Sequence, residues 1–172
     1  MRNGADRSPT TEPSAVQNGS EPCRGFSDPL HAMHTAEHIL SAVMQREFGT
    51  GRSLETHLGA KKSKCDYRVD RALQEHDLHG IESAVNAEIE KDHRVSSFEI
   101  GREEAEGRYD MGKVPEGAKT IRIVRIGDLD AMPCVGAHVE RTGQVGRFVI
   151  RSWTMKTPEV IRVRYSVRPE AH

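Results

Sequence analysis

The sequence predicts an α+β fold, a two-layer sandwich in which a mainly antiparallel sheet packs with two main helices. Three observations carry this. Two segments repeat their apolar residues at helical spacing, several others alternate them at strand spacing, and strands and helices are not regularly interleaved. At 172 residues the chain is sized for one domain with an appendage.

Residues 1–28 hold Pro9, Pro13 and Pro22 among many Ser, Thr, Asn and Gly, with almost nothing apolar. Such a segment cannot bury a core and reads as a disordered polar tail, leaving 29–172 as the folded domain. There Met33, Ile39, Leu40, Val43, Met44 and Phe48 recur at helical spacing, and Gly49 and Gly51 suit a helix stop. Strand-like runs follow at 53–58 and 64–69. A second helix spans 74–91 with Leu78, Ile81, Val85 and Ile89 as its buried stripe. Residues 94–100 read as a strand, 102–108 as a short helix, and 120–126, 148–155 and 160–167 as further strands. The last alternates Ile161, Val163, Tyr165 and Val167 inward with Arg162, Arg164 and Arg168 outward. No internal repeat is visible.

The bulk properties exclude several classes. No run of eighteen uncharged apolar residues is present, so no spanning helix is expected. The N-terminus lacks the apolar core of a signal peptide, and the expectation is a soluble, cytoplasmic protein with no membrane partner. Cys23, Cys65 and Cys134 are too few for a disulfide framework and read as reduced thiols or a metal ligand. Between 74 and 106 ten acidic residues face three basic ones, whereas from 111 to 172 eleven Lys and Arg face six Asp and Glu. The basic half can meet phosphates, or its strands simply carry Arg on a wet face.

Two ligand pairs carry the chemistry. "HTAEH" sets His34 and His38 one helical turn apart on one face. Alone this is weak evidence for a metal. "PCVGAHVERTGQVG" adds Cys134 and His138, again four apart, beside a Gly-containing turn. Thiolate and imidazole are the donors zinc prefers, and together the pairs supply four.

"HTAEHILSAVMQREFG", "THLG" and "IGDLDAMPCVGAHVERTGQVGRFVI" resemble the editing domain of alanyl-tRNA synthetase, and more closely its free-standing AlaX-type trans-editing relatives. The threonyl-tRNA synthetase editing domain is a more distant cousin. The resemblance covers about 31–167. It implies a compact stand-alone aminoacyl-tRNA deacylase, a hydrolase that removes serine or glycine from misacylated alanine tRNA. It also implies Zn2+ on His34, His38, Cys134 and His138, tRNA as partner, and neither ATP nor another nucleotide cofactor. An aminoacyl ester is already activated, so such a site needs mainly positioning, carbonyl polarisation and a delivered water. The relatives read Cys-Gly-Gly-Thr-His in the second motif; here Val135 and Ala137 take two of those slots, which bears on amino-acid specificity rather than on the metal. Oligomeric state is not legible.

Around this core stand further candidates. Glu37, where many relatives carry a smaller or apolar residue, is either a general base facing the ion or an exposed helix glutamate. His57 and Ala137 are candidates for the substrate pocket. Asp130 is another, and with Asp128 it either orients a ligand histidine or caps a turn. Lys61, Lys62, Arg147, Arg162 and Arg164, with Lys64, are candidates for tRNA phosphates. His76, His79, His93 and His172 are given no role. Three rivals remain. "HTAEH" matches the inverted zinc-peptidase motif His-x-x-Glu-His, though such sites are usually completed by a carboxylate. The S-ribosylhomocysteine lyase family pairs that motif with a Cys. A non-catalytic, zinc-stabilised tRNA-binding module accounts for a closed four-ligand site.

Overall fold

The computed structural model describes residues 28–169, so residues 1–27 of the tail expected over 1–28, and His172, lie outside the described residues. The first helix, α1, spans Pro29–Phe48. Asp28, grouped with the tail on composition, is its N-cap, and its carboxylate accepts from the Leu30 amide at 2.8 Å. Gly49 ends the helix at φ 62°, a left-handed conformation that costs a residue without a side chain little. The second helix, α2, runs Glu75–Glu90, and a short α3 covers Arg102–Glu106.

The strands divide between two antiparallel sheets. Strands β1 (Glu55–His57), β2 (Ser63–Arg68), β6 (Arg147–Thr157) and β7 (Val160–Arg168) form an antiparallel sheet in the order β1-β2-β7-β6. Strands β3 (Val95–Gly101), β4 (Thr120–Ile126) and β5 (Asp130–Pro133) form a second antiparallel sheet in chain order. The architecture is an α+β sandwich. The strand that escaped prediction, β5, has four residues, no β-branched side chain and a terminal proline, so it carries almost no strand signal.

The helices pack on one face of the four-stranded sheet. Met33, Ile39, Leu40, Val43 and Met44 of α1 join Leu78, Ile81, Val85 and Ile89 of α2 over Cys65, Tyr67, Phe148, Ile161, Val163 and Tyr165. Twelve residues of α1 are buried, polar Thr35, Glu37, His38 and Ser41 included, because the helix is covered on nearly every side. The Tyr165 hydroxyl donates to the Met33 carbonyl at 3.0 Å, tying the sheet to the first turns of α1. Asn86 ties α2 to β6, its amide donating to the Phe148 carbonyl and accepting from the Phe148 amide, both at 2.9 Å. The Glu82 carboxylate accepts from the Ile150 amide at 2.7 Å. Ala105, Ile121 and Ile123 build a second, smaller core under the three-stranded sheet with Tyr109, Met111 and Val114 of the loop before β4. Among the described residues no helix is long and apolar enough to cross a membrane.

On the sheet face turned from the helices, Arg162 grips Asp66 with two hydrogen bonds, at 2.7 and 2.9 Å, and Lys156 adds a third at 2.8 Å. The Arg162 guanidinium, then Lys156, holds the buried Asp66 carboxyl at about 2 instead of its ordinary 3.8. A carboxyl lowered on folding stabilises fully above its unfolded value and loses that contribution as pH falls through the folded one. Acid titration of stability should therefore show the natural chain losing more between pH 4 and 2 than Asp66→Asn does. Equal slopes in chemical denaturation across that window would refute the assignment.

Candidate metal centre

His34 and His38 stand one turn apart on α1, facing the loop that follows β5. That loop brings in Cys134 and His138. The four donor atoms all lie within 4.8 Å of one another, forming a group that could hold a metal ion. Cys134 Sγ is 3.4 Å from both His34 Nε2 and His138 Nε2. A tetrahedron with metal–sulfur and metal–nitrogen bonds of about 2.3 and 2.05 Å has sulfur–nitrogen edges of about 3.5 Å, so the spacing fits.

Electrostatics point the same way. Burial pushes the Cys134 thiol up, but the surrounding histidines, His138 first, outweigh it and bring it to about 3. Burial pulls His38 down, while Asp130 and Cys134 raise it further, to about 9. His138 is held below its ordinary value, mainly by burial. The cluster thus favours a thiolate with positive charge at its centre, which is what a cation supplies. Both ring nitrogens of fully buried His38 lack a hydrogen-bond partner among the described residues. Such orphans are expensive, and an ion in the cluster would take up one of the two.

The supporting contacts set ring orientation. Thr35 Oγ1 donates to the His31 carbonyl at 2.9 Å and accepts from the Val139 amide at 3.2 Å. Its only proton is used, so His138 Nδ1, at 3.1 Å, must carry the hydrogen that joins them. Nε2 of His138 is left to the cluster. Arg122 Nη1 donates to the carbonyls of Cys134 and Gly136, at 2.9 and 2.8 Å, holding the loop. A Cβ on Gly136 would overlap the His34 ring, so only glycine allows this approach.

The centre opens onto a cleft of about 920 Å³. Its polar end carries Glu37, Ser53, Thr56 and Lys113, and its walls include Leu54, Val114, Ile121 and Met132. Glu37 is buried, not an exposed helix glutamate. Its Oε1 accepts from Ser41 at 2.9 Å and Ser53 at 3.4 Å, while Oε2 lies 4.0 Å from His38 Nε2. Tyr67 reaches Ser41 at 2.9 Å, and Lys113 donates to Ser53 at 3.2 Å.

Other expected residues fall elsewhere. His57 is exposed on β1, and its neighbour Thr56 lines the cleft instead. Ala137 is exposed and off the cleft wall, where Val135 and Gly136 stand. Asp130 lies behind the centre, with Oδ2 3.3 Å from His38 Nδ1, whereas Asp128 is fully exposed on the preceding turn. Lys61 and Lys62 are exposed between β1 and β2, and Arg147 is exposed at the start of β6. Arg162 and Arg164 alternate with core-facing Ile161, Val163 and Tyr165, so they sit on the opposite sheet face; Arg162 is engaged by Asp66 and Arg164 donates to Thr154. The basic side chains on the cleft itself are Arg52, Lys113 and Arg122. Sequence reasoning missed these three, for no local pattern marks them.

Residues 121–164, which include Cys134 and His138, match the family described as the threonyl and alanyl tRNA synthetase second additional domain. Alanine–tRNA ligase of Aeropyrum pernix is 33% identical over 140 residues, covering 77% of this chain and 15% of that protein. The ligase of Halorubrum lacusprofundi is 33% identical over 124 residues, 69% of this chain and 13% of that protein. That of Saccharolobus islandicus is 31% identical over 144 residues, 79% of this chain and 16% of that protein. The chain thus spans only a small part of the relatives it matches. On the family match, which takes in Cys134 and His138, and on these relatives, the chain carries a domain of the threonyl and alanyl tRNA synthetase second additional domain family.

Proposed function

We propose that this domain is a zinc-dependent aminoacyl-tRNA deacylase that removes serine or glycine from misacylated alanine tRNA, acting in trans, without ATP, in the cytoplasm. One observation carries the reading: in a domain related to part of alanine–tRNA ligases, a three-histidine, one-cysteine centre opens onto a cleft with a buried carboxylate beside it. Zinc held by His34, His38, Cys134 and His138 would polarise the ester carbonyl and ease ionisation of water. Glu37, its Oε1 anchored by two hydroxyls, takes the proton of the attacking water at Oε2. Leu54, Val114, Ile121 and Met132 shield the ester from bulk solvent. Lys61, Lys62, Arg147 and Arg164 supply phosphate contacts; Arg162 contributes only charge, its guanidinium being engaged already.

The direct test uses purified protein with serine- and glycine-charged alanine tRNA, following ester loss with and without a chelator. Chelator-sensitive loss is expected, weakening as salt screens phosphate contacts. Four protein ligands favour a second reading, since closed sites are usually structural. Tight binding of charged tRNA with both esters left intact would establish the binding module. Peptide cleavage without ester cleavage would establish the peptidase, whose expected carboxylate ligand is absent from the four-residue group.

A further inference from the structure

Two buried atoms behind the metal centre face each other without partners. His38 Nδ1 and Asp130 Oδ2 each lack a hydrogen bond among the described residues, yet they lie 3.3 Å apart. One N–H···O bond made across that approach would satisfy both. That bond needs the hydrogen on Nδ1. Buried Asp130 is held by Arg52, from the segment between α1 and β1, whose Nη2 donates to Asp130 Oδ1 at 2.5 Å. Its Nη1 is buried with no partner, so Asp130 is its one anchor among the described hydrogen bonds.

We propose that Arg52 is a positioning residue: it fixes the Asp130 carboxylate so that His38 holds its hydrogen on Nδ1 and presents Nε2 to the metal. Three chain segments distant in sequence, at residues 38, 52 and 130, are thereby joined into one support. His138 has its counterpart in Thr35, so each of these two histidines is oriented by a different kind of group, a hydroxyl for one and an ion pair for the other. The proposal rests on the metal reading above, and its test involves no tRNA.

The test measures zinc affinity of the full chain by competition with a chromophoric chelator, and reads the His38 ring nitrogens by nitrogen-15 NMR of the zinc-loaded protein. Arg52→Leu should weaken zinc about 10- to 100-fold, the range typical of groups that orient a ligand histidine. It should also broaden or shift the Nδ1–H signal of His38, and Arg52→Lys should restore most of both. Asp130→Asn should lose as much, and the double variant with Arg52→Leu no more than Asp130→Asn alone. Natural affinity in Arg52→Leu, or additive losses in the double variant, would overturn the proposal. If Arg52→Leu does not fold, Asp130→Asn and Arg52→Lys decide it, and natural affinity in Asp130→Asn is the refuting result. A natural chain that takes up no zinc overturns the metal reading and this one together. Zinc uptake without ester hydrolysis sinks only the deacylase.

Discussion

Cys134→Ala should bind zinc more than about 100-fold more weakly than the natural chain, beyond what loss of a merely supporting contact costs. Cys134 is the only sulfur in a group whose other donors are imidazoles, and its neighbours hold it as thiolate far below the usual thiol range. Alanine leaves three histidines, two of them on one helix, and no anion to balance the cation. Metal analysis after dialysis should find close to one zinc in the natural chain and almost none in the variant, with deacylation lost in parallel. Cys65, on β2, is the control. It is fully buried in the apolar core, its thiol pushed up to about 12 chiefly by burial, and Cys65→Ala should keep the metal. Full zinc in Cys134→Ala would remove this residue from the site.

Glu37→Gln should keep the zinc and lose turnover by about 10²- to 10⁴-fold, the usual worth of a positioned general base. The exchange preserves shape and the hydrogen bonds that Ser41 and Ser53 donate to Oε1, while removing the proton acceptor at Oε2. KM should change little, because the carboxylate acts on water rather than on the tRNA. Near-natural kcat in a zinc-loaded Glu37→Gln would leave water activation to the metal or to a hydroxyl of the tRNA.

Periodicity made the helices legible. The stripe Leu78, Ile81, Val85 and Ile89 is buried as its spacing requires, and the alternation in β7 puts Ile161, Val163 and Tyr165 into the core. The two candidate ligand pairs stood out for a related reason: a spacing of four puts donors close together wherever the backbone is helical or tightly turned, and the structure brings their donor atoms within 4.8 Å of one another. What decides the rest is long-range. Glu37 is buried because other elements cover α1 on almost every side, which no pattern within the helix reveals. His57 and Thr56 exchange roles through strand parity, where a shift of one residue moves a side chain to the opposite face. Arg52 and Arg122 act on residues 78 and 12 positions away, and an arginine carries no local mark of its partner.

The Asn86 and Glu82 contacts have a consequence for self-association. Strand β6 is an outer strand of its sheet, and the unpaired amides and carbonyls of such a rim are a template for a strand from another molecule. Asn86 occupies both the amide and the carbonyl of Phe148, and Glu82 occupies the amide of Ile150. Side chains from α2 thus take the sites an incoming strand would use. At the other rim β1 has only three residues, too short to template much pairing. The start of the β6 rim is in this way closed to an incoming strand.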